Sequence, residues 1–207
     1  MRELRLGLRL YLWAMYLACV LLIIGQVGAF VAWRPHEPEI RVALLRVLVF
    51  VLLAYAGERT TLRVSGAIQQ SLSTAVHIAA ILVFPAPSPV LITLLSVLAA
   101  QTLERKPLYK RAFNICHPTL AVGLSGSLLS LVVAPTAVLH PNHIVAALPA
   151  LGLLVLLFYI LDVGMLLGVL SLAQGQPPWR VWTQTYRPTL LPELAACTIG
   201  IDRKSVV

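Results

Sequence analysis

Residues Glu104 to Pro118 read Glu-Arg-Lys-Pro-Leu-Tyr-Lys-Arg-Ala-Phe-Asn-Ile-Cys-His-Pro. Four cations, Arg105, Lys106, Lys110 and Arg111, fall between Glu104 and Arg111, and long apolar runs lie on both sides. Water suits such a cluster and lipid suits its flanks. A positive loop between apolar spans stays on the cytoplasmic side, where it meets anionic headgroups. The loop therefore orients the rest of the chain.

Composition agrees. Of 207 residues, 59% are hydrophobic and 12% charged, whereas a soluble domain carries about 25% charged residues. The mean hydropathy is +0.87. The net charge of +8 reflects Lys and Arg gathered in inner loops. It is no nucleic-acid footprint, because no soluble domain surrounds the basic patch to present it. Cys19, Cys116 and Cys197 sit in apolar surroundings without CxxC spacing. They read as small core residues, with no disulfide and no metal cluster expected.

Outward from the basic loop, the chain predicts an all-α, polytopic transmembrane helix bundle. Six complete spans fall at about 10–33, 42–57, 71–84, 90–103, 112–133 and 150–173, and a truncated seventh starts at 189. A span needs about 20 apolar residues. Tyr11, Trp13 and Trp33 mark the ends of the first as interfacial aromatics. The spans at 71–84 and 90–103 are short and are expected to pack as a hairpin around the uncharged turn Pro85-Ala-Pro-Ser-Pro89. Thr61 to Ser65 alternates weakly and reads as extended or surface-lying. Pro118 lies within the fifth span, and Gly123, Ser125, Gly126, Ser127 and Ser130 give that span a small-residue stripe for close helix contact. The run from Ile144 to Ala173 reads either as one tilted helix or as a short piece before Pro149 and a span after it. Residues 202–207 match the translation of a sequencing-library adapter, so the chain is expected to be an incomplete gene product.

With the first nine residues inside, the inner segments hold eleven Lys and Arg and the outer loops hold only Arg34 and Arg41. The N-terminus is thus expected in the cytoplasm, with the protein in the inner membrane.

Few residues can carry chemistry. Asp162 lies inside the sixth span. A central Asp costs roughly 2.5–3.5 kcal/mol, while fifteen Leu, Ile, Phe and Val between Leu151 and Ala173 return roughly 5–9 kcal/mol. The segment still spans, and Asp162 should face the bundle interior, protonated or paired. His77 and His117 are its expected partners, and the three form the candidate intramembrane polar site. Asn114 is expected to cap the fifth helix. Glu193 is placed near Arg180 or Arg187. His140 and His143 flank Pro141, which breaks the helix that would align a metal pair, so no metal is expected there. No GxGxxG, Walker loop, HExxH or nucleophile elbow is present in the sequence. No enzyme and no cofactor are expected.

From about Gly66 to Gly200 the chain resembles the N-terminal multi-pass membrane region of bacterial signalling proteins with a cytoplasmic HD-GYP or GGDEF output domain. The residues that carry the resemblance are Ser71-Leu-Ser-Thr-Ala-Val-His-Ile-Ala-Ala-Ile-Leu82, Arg105-Lys-Pro-Leu-Tyr-Lys-Arg-Ala-Phe-Asn114, Pro177-Pro-Trp-Arg-Val-Trp182 and Leu190-Leu-Pro-Glu-Leu194. The chain has no HD pair, GYP triplet or GGDEF run. The resemblance therefore implies a sensory or anchoring half that regulates a cyclic-di-GMP enzyme domain absent from this chain. The expected partners are the lipid bilayer, anionic lipid headgroups, a second copy of the chain in a homodimer and an unidentified small ligand, but no nucleic acid. The alternative is a small transporter or channel subunit with a polar pathway at Asp162, His77 and His117.

Overall fold

The computed structural model describes residues 5–33, 37–65, 68–132 and 144–187. The expected seventh segment from 189, Glu193, the 202–207 tail and the His140–His143 pair lie outside the described residues.

The chain is predominantly helical. Helix α1 covers Leu6–Trp33 and α2 covers Glu37–Arg59. Strands β1 (Thr61–Ser65) and β2 (Ile68–Ser71) follow as an antiparallel pair, with Thr61 opposite Ser71 and Leu62 opposite Gln70. Next come α3 (Ser73–Val83), α4 (Ser88–Thr102), α5 (Leu108–Ser130), α6 (Ile144–Gln174) and the short α7 (Pro178–Val181). A π-type turn over Trp182–Tyr186 continues from α7. The small β-hairpin is a local exception in an otherwise helical chain, and its first strand falls on the Thr61 to Ser65 stretch read as extended or surface-lying. It falls where the sequence alternates with period two, which suits an extended strand and not a helix.

The expectation of six spans is corrected. Among the described residues, two helices are long and apolar enough to cross a membrane, within Leu6–Gly28 and Leu148–Gln174. Helices α3 and α4 have 11 and 15 residues. At 1.5 Å per residue they reach about 16 and 22 Å, short of a hydrocarbon core of about 30 Å. They turn at Pro85–Pro87, where prolines remove the amide donors a continuing helix needs. Helix α6 runs unbroken through Pro149 for 31 residues, which settles its two readings in favour of one long helix.

Helix α5 is the hub, in contact with α1, α3, α4 and α6, while α2 packs on α3 and α4. One core cluster joins Leu8, Leu12, Met15 and Cys19 of α1 to Phe113 and Leu120 of α5. A second joins Ile81 to Ala121, Val122 and Leu129 of α5 and to Leu154 and Phe158 of α6. A third holds Ala54, Ala80, Phe84 and Ile92.

Beside this apolar core, many large apolar side chains are exposed and several polar ones are buried. Leu10, Leu17, Leu21 and Ile24 of α1 and Leu44, Leu45, Leu48, Leu52 and Leu53 of α2 are exposed. Ser73, His77, Thr93, Ser96, Gln101, His117, Thr119 and Ser125 are buried. Only 17% of each membrane-length window is buried, whereas the core helix of a soluble protein would be mostly covered. Apolar surfaces this continuous call for a non-aqueous neighbour.

Close packing and polar links between helices hold the bundle together. Gly123 supplies a close helix approach: a Cβ there would collide with Leu22 of α1 and crowd Val90 of α4. Tyr11 donates to the Met165 carbonyl at 3.0 Å, and Tyr16 to the Tyr109 carbonyl at 2.8 Å. The Arg5 guanidinium lies against Gly175, whose φ of +67° ends α6. The Gly175 and Gln176 amides both close back on the Ser171 carbonyl, at 2.8 and 3.2 Å.

Candidate functional site: a buried polar centre

Asp162 sits near the middle of α6. At 1.5 Å per residue it is about 18 Å from Gln174 and about 21 Å from Leu148. Its partner is His117 of α5. The His117 Nε2 lies 3.1 Å from Asp162 Oδ1 and 2.9 Å from the Asp162 carbonyl oxygen. A backbone carbonyl only accepts, so Nε2 carries the hydrogen and is shared between two oxygens of one residue. The side chains of His117 and Asp162 are 11% and 29% exposed. The histidine is therefore enclosed, while one flank of the carboxylate stays reachable.

Local sequence fixes the imidazole. Phe113, one turn earlier on α5, stacks on His117 with ring centroids 5.4 Å apart and an interplanar angle of 14°. Pro118 follows inside the helix. Its missing amide leaves the Asn114 carbonyl without its usual helical donor.

His77 of α3 is the third member. It is 2% exposed, and its Nε2 has no hydrogen-bond partner among the described residues. Asp162 lies within electrostatic reach of it. A buried polar atom left unsatisfied costs about 1–3 kcal/mol. The structure joins His117 of α5 to Asp162 of α6 and leaves the third sequence-predicted residue, His77, buried on α3.

Asn114 is not a helix cap, which corrects that expectation. Helix α5 begins at Leu108 after Pro107, whose side chain makes no capping bond. Asn114 lies well inside and donates to Gln101 Oε1 at 3.2 Å, tying α5 to α4. Proline's fixed φ starts helices well, and this moved the start ahead of the asparagine.

The basic stretch divides in two. Arg105 and Lys106 stay in the loop, and Lys110 and Arg111 ride on the first turn of α5. Lys106 pairs with Glu104 at 2.7 Å, with both side chains well exposed; such surface pairs contribute little. Nearby, Ser73 donates to Glu58 Oε1 at the end of α2. Burial pushes the Glu58 carboxyl up from its ordinary range, the Ser73 bond pulls it back, and the charge of Glu104 pushes it up again. These contacts, with Arg5 against Gly175, place Arg5, Arg59, Arg105, Lys106, Lys110 and Arg111 at one end of the bundle.

Sequence reasoning missed two features. Cys116 of α5 packs against the core cluster that contains Cys19 of α1, across the α1–α5 seam. A cavity of about 70 Å³ also opens beside the α3–α4 turn, lined by Gln26, Phe84, Pro89, Gly123, Gly126 and Ser127. The small-residue stripe was its only signal. Among the described residues no group of three or more His, Cys, Asp and Glu stands ready for a metal.

No family model, no curated protein and no solved structure matches this chain.

Proposed function

We propose that this chain is a membrane-embedded sensory or anchoring module, with the His117–Asp162 pair and His77 as its responsive centre. The observation that carries the reading is that pair: a carboxylate and an imidazole joined in the middle of two packed, outwardly apolar helices. Ionisable groups at such a depth are costly and are retained for function by default. The module has its N-terminus on the cytoplasmic side of the inner membrane; α1 and α6, the two helices that are long and apolar enough, cross it, and the reading places α2 and α5, with 23 residues each, across beside them. The short α3–α4 hairpin enters and leaves on the cytoplasmic side. Gathering of the cations at one end supports this orientation.

On the resemblance given above, its output is a cytoplasmic HD-GYP phosphohydrolase or diguanylate cyclase. Helix α6 leads to the cationic end and into α7, where Trp179 and Trp182 stack 5.0 Å apart. A signal at Asp162 would leave along that path. Sequencing the native gene past codon 201 tests it: a cytoplasmic enzyme domain is expected, and a stop after one further span contradicts it.

One observation favours the transporter reading. Short, proline-interrupted helices turning beside a cavity mark substrate sites in transporters. Purified protein in proteoliposomes separates the two. The sensory reading expects no proton or cation flux. Flux abolished by Asp162→Asn would establish the transporter instead.

A further inference from the structure

The α1–α5 seam is parallel, and three contacts set its register. Tyr16 reaches the Tyr109 carbonyl, Leu22 sits over Gly123, and Gln26 donates to Ser127 Oγ at 3.4 Å. Partners on both helices advance together along the chain. Cys19 lies between Tyr16 and Leu22, and Cys116 between Tyr109 and Gly123. The register therefore brings together two thiols 97 residues apart. Cys116 packs against the core cluster that contains Cys19. Both are free: Cys19 is buried and Cys116 partly exposed. Glycine at 123 keeps the two helices close just beyond the pair.

We propose that Cys19 and Cys116 are a redox-modification site, closed to a disulfide by a membrane-permeant organic hydroperoxide. The asymmetry in exposure assigns the roles. Cys116, the more accessible thiol, is attacked first. Its sulfur takes the terminal hydroperoxide oxygen as the O–O bond breaks; Cys116 becomes a sulfenic acid, and the alcohol leaves with the thiol proton. The Cys19 sulfur then attacks the Cys116 sulfur. The S–S bond forms, the S–O bond breaks, and water leaves with the Cys19 proton. Two thiols lose two electrons, and the hydroperoxide is reduced to alcohol and water. The site lies on membrane-length α1 and on α5, among Leu12, Met15, Phe113 and Leu120, so the oxidant is a species that dissolves in lipid. The product staples α1 to the hub helix one residue from His117.

The test treats membranes holding the full chain with cumene hydroperoxide, then alkylates remaining thiols and maps peptides by mass. The expected result is joint loss of alkylation at Cys19 and Cys116, one crosslinked α1–α5 peptide pair, and recovery of both thiols with dithiothreitol. In Cys19→Ser, oxidation should stop at Cys116 sulfenic acid, trapped by dimedone. Cys19 still alkylated after oxidation of Cys116 in the native chain would overturn the proposal, as would crosslinking of Cys197 in place of Cys19. Peptide mapping of the native chain needs no variant to fold.

Discussion

Asp162 is held by one imidazole through two oxygens, and that geometry sets what each substitution does. Asp162→Asn keeps both the shape and an acceptor for His117 Nε2, so expression and thermal stability should stay near wild type. Asp162→Lys places an ammonium against His117, whose Nε2–H can only donate to it. That variant should lose stability by several kcal/mol, in line with a charge left unpaired inside a bundle. Thermal unfolding in detergent, read beside expression level, checks both; a Lys variant as stable as wild type would mean that the position faces water. Glu58 gives a prediction in pH. Its folded carboxyl titrates above its ordinary value because of burial and Glu104, less the Ser73 bond. The unfolded chain therefore releases the proton first as pH rises. Stability contributed at this position is complete below the ordinary carboxylate range and is lost as pH climbs through the folded value. Glu58→Gln should flatten that decline, measured as melting temperature against pH from 4 upward.

The elements show where sequence patterns sufficed and where they did not. The stripe at Gly123, Gly126 and Ser127 was legible as a close-contact face. Gly123 meets Leu22 and Val90, Gly126 meets Ile81, and Ser127 accepts from Gln26. Ser125 and Ser130 instead bond back to carbonyls of their own helix, at 2.6 and 2.7 Å, which spacing alone does not distinguish. A clash at Gly123 predicts a cost of about 1–3 kcal/mol for Gly123→Val. Leu22→Ala should restore part of it, because the two positions share one contact and their effects do not add. Thermal shifts of both single variants and the double variant decide this; strict additivity would contradict the seam. The polar centre was legible too, because charge in an apolar run is conspicuous. The thiol pair was not, since it depends on the parallel register of helices 97 residues apart in sequence. Asn114 misled because Pro107 starts α5 earlier than the edge of the apolar run. Helices α3 and α4 were placed well but are too short to cross.

At the scale of the whole molecule, the bundle has an apolar outer surface on α1 and α2, a core that holds several polar side chains among apolar ones, and cations gathered at one end. Lipid outside would make that arrangement stable, whereas water would leave the leucines of α1 and α2 with nothing to cover them. The proposed orientation puts the cationic end in the cytoplasm, and α5 is the element that tests it. Lys106 precedes the first turn of α5 at that end, and Leu131 follows its last turn at the other, 82% exposed. Dual reporters inserted at these two positions in the full chain, one active only in the cytoplasm and one only outside it, distinguish the orientations. A cytoplasmic signal is expected at Lys106 and an external signal at Leu131. The same side reported at both, or Lys106 outside, would contradict the proposed orientation.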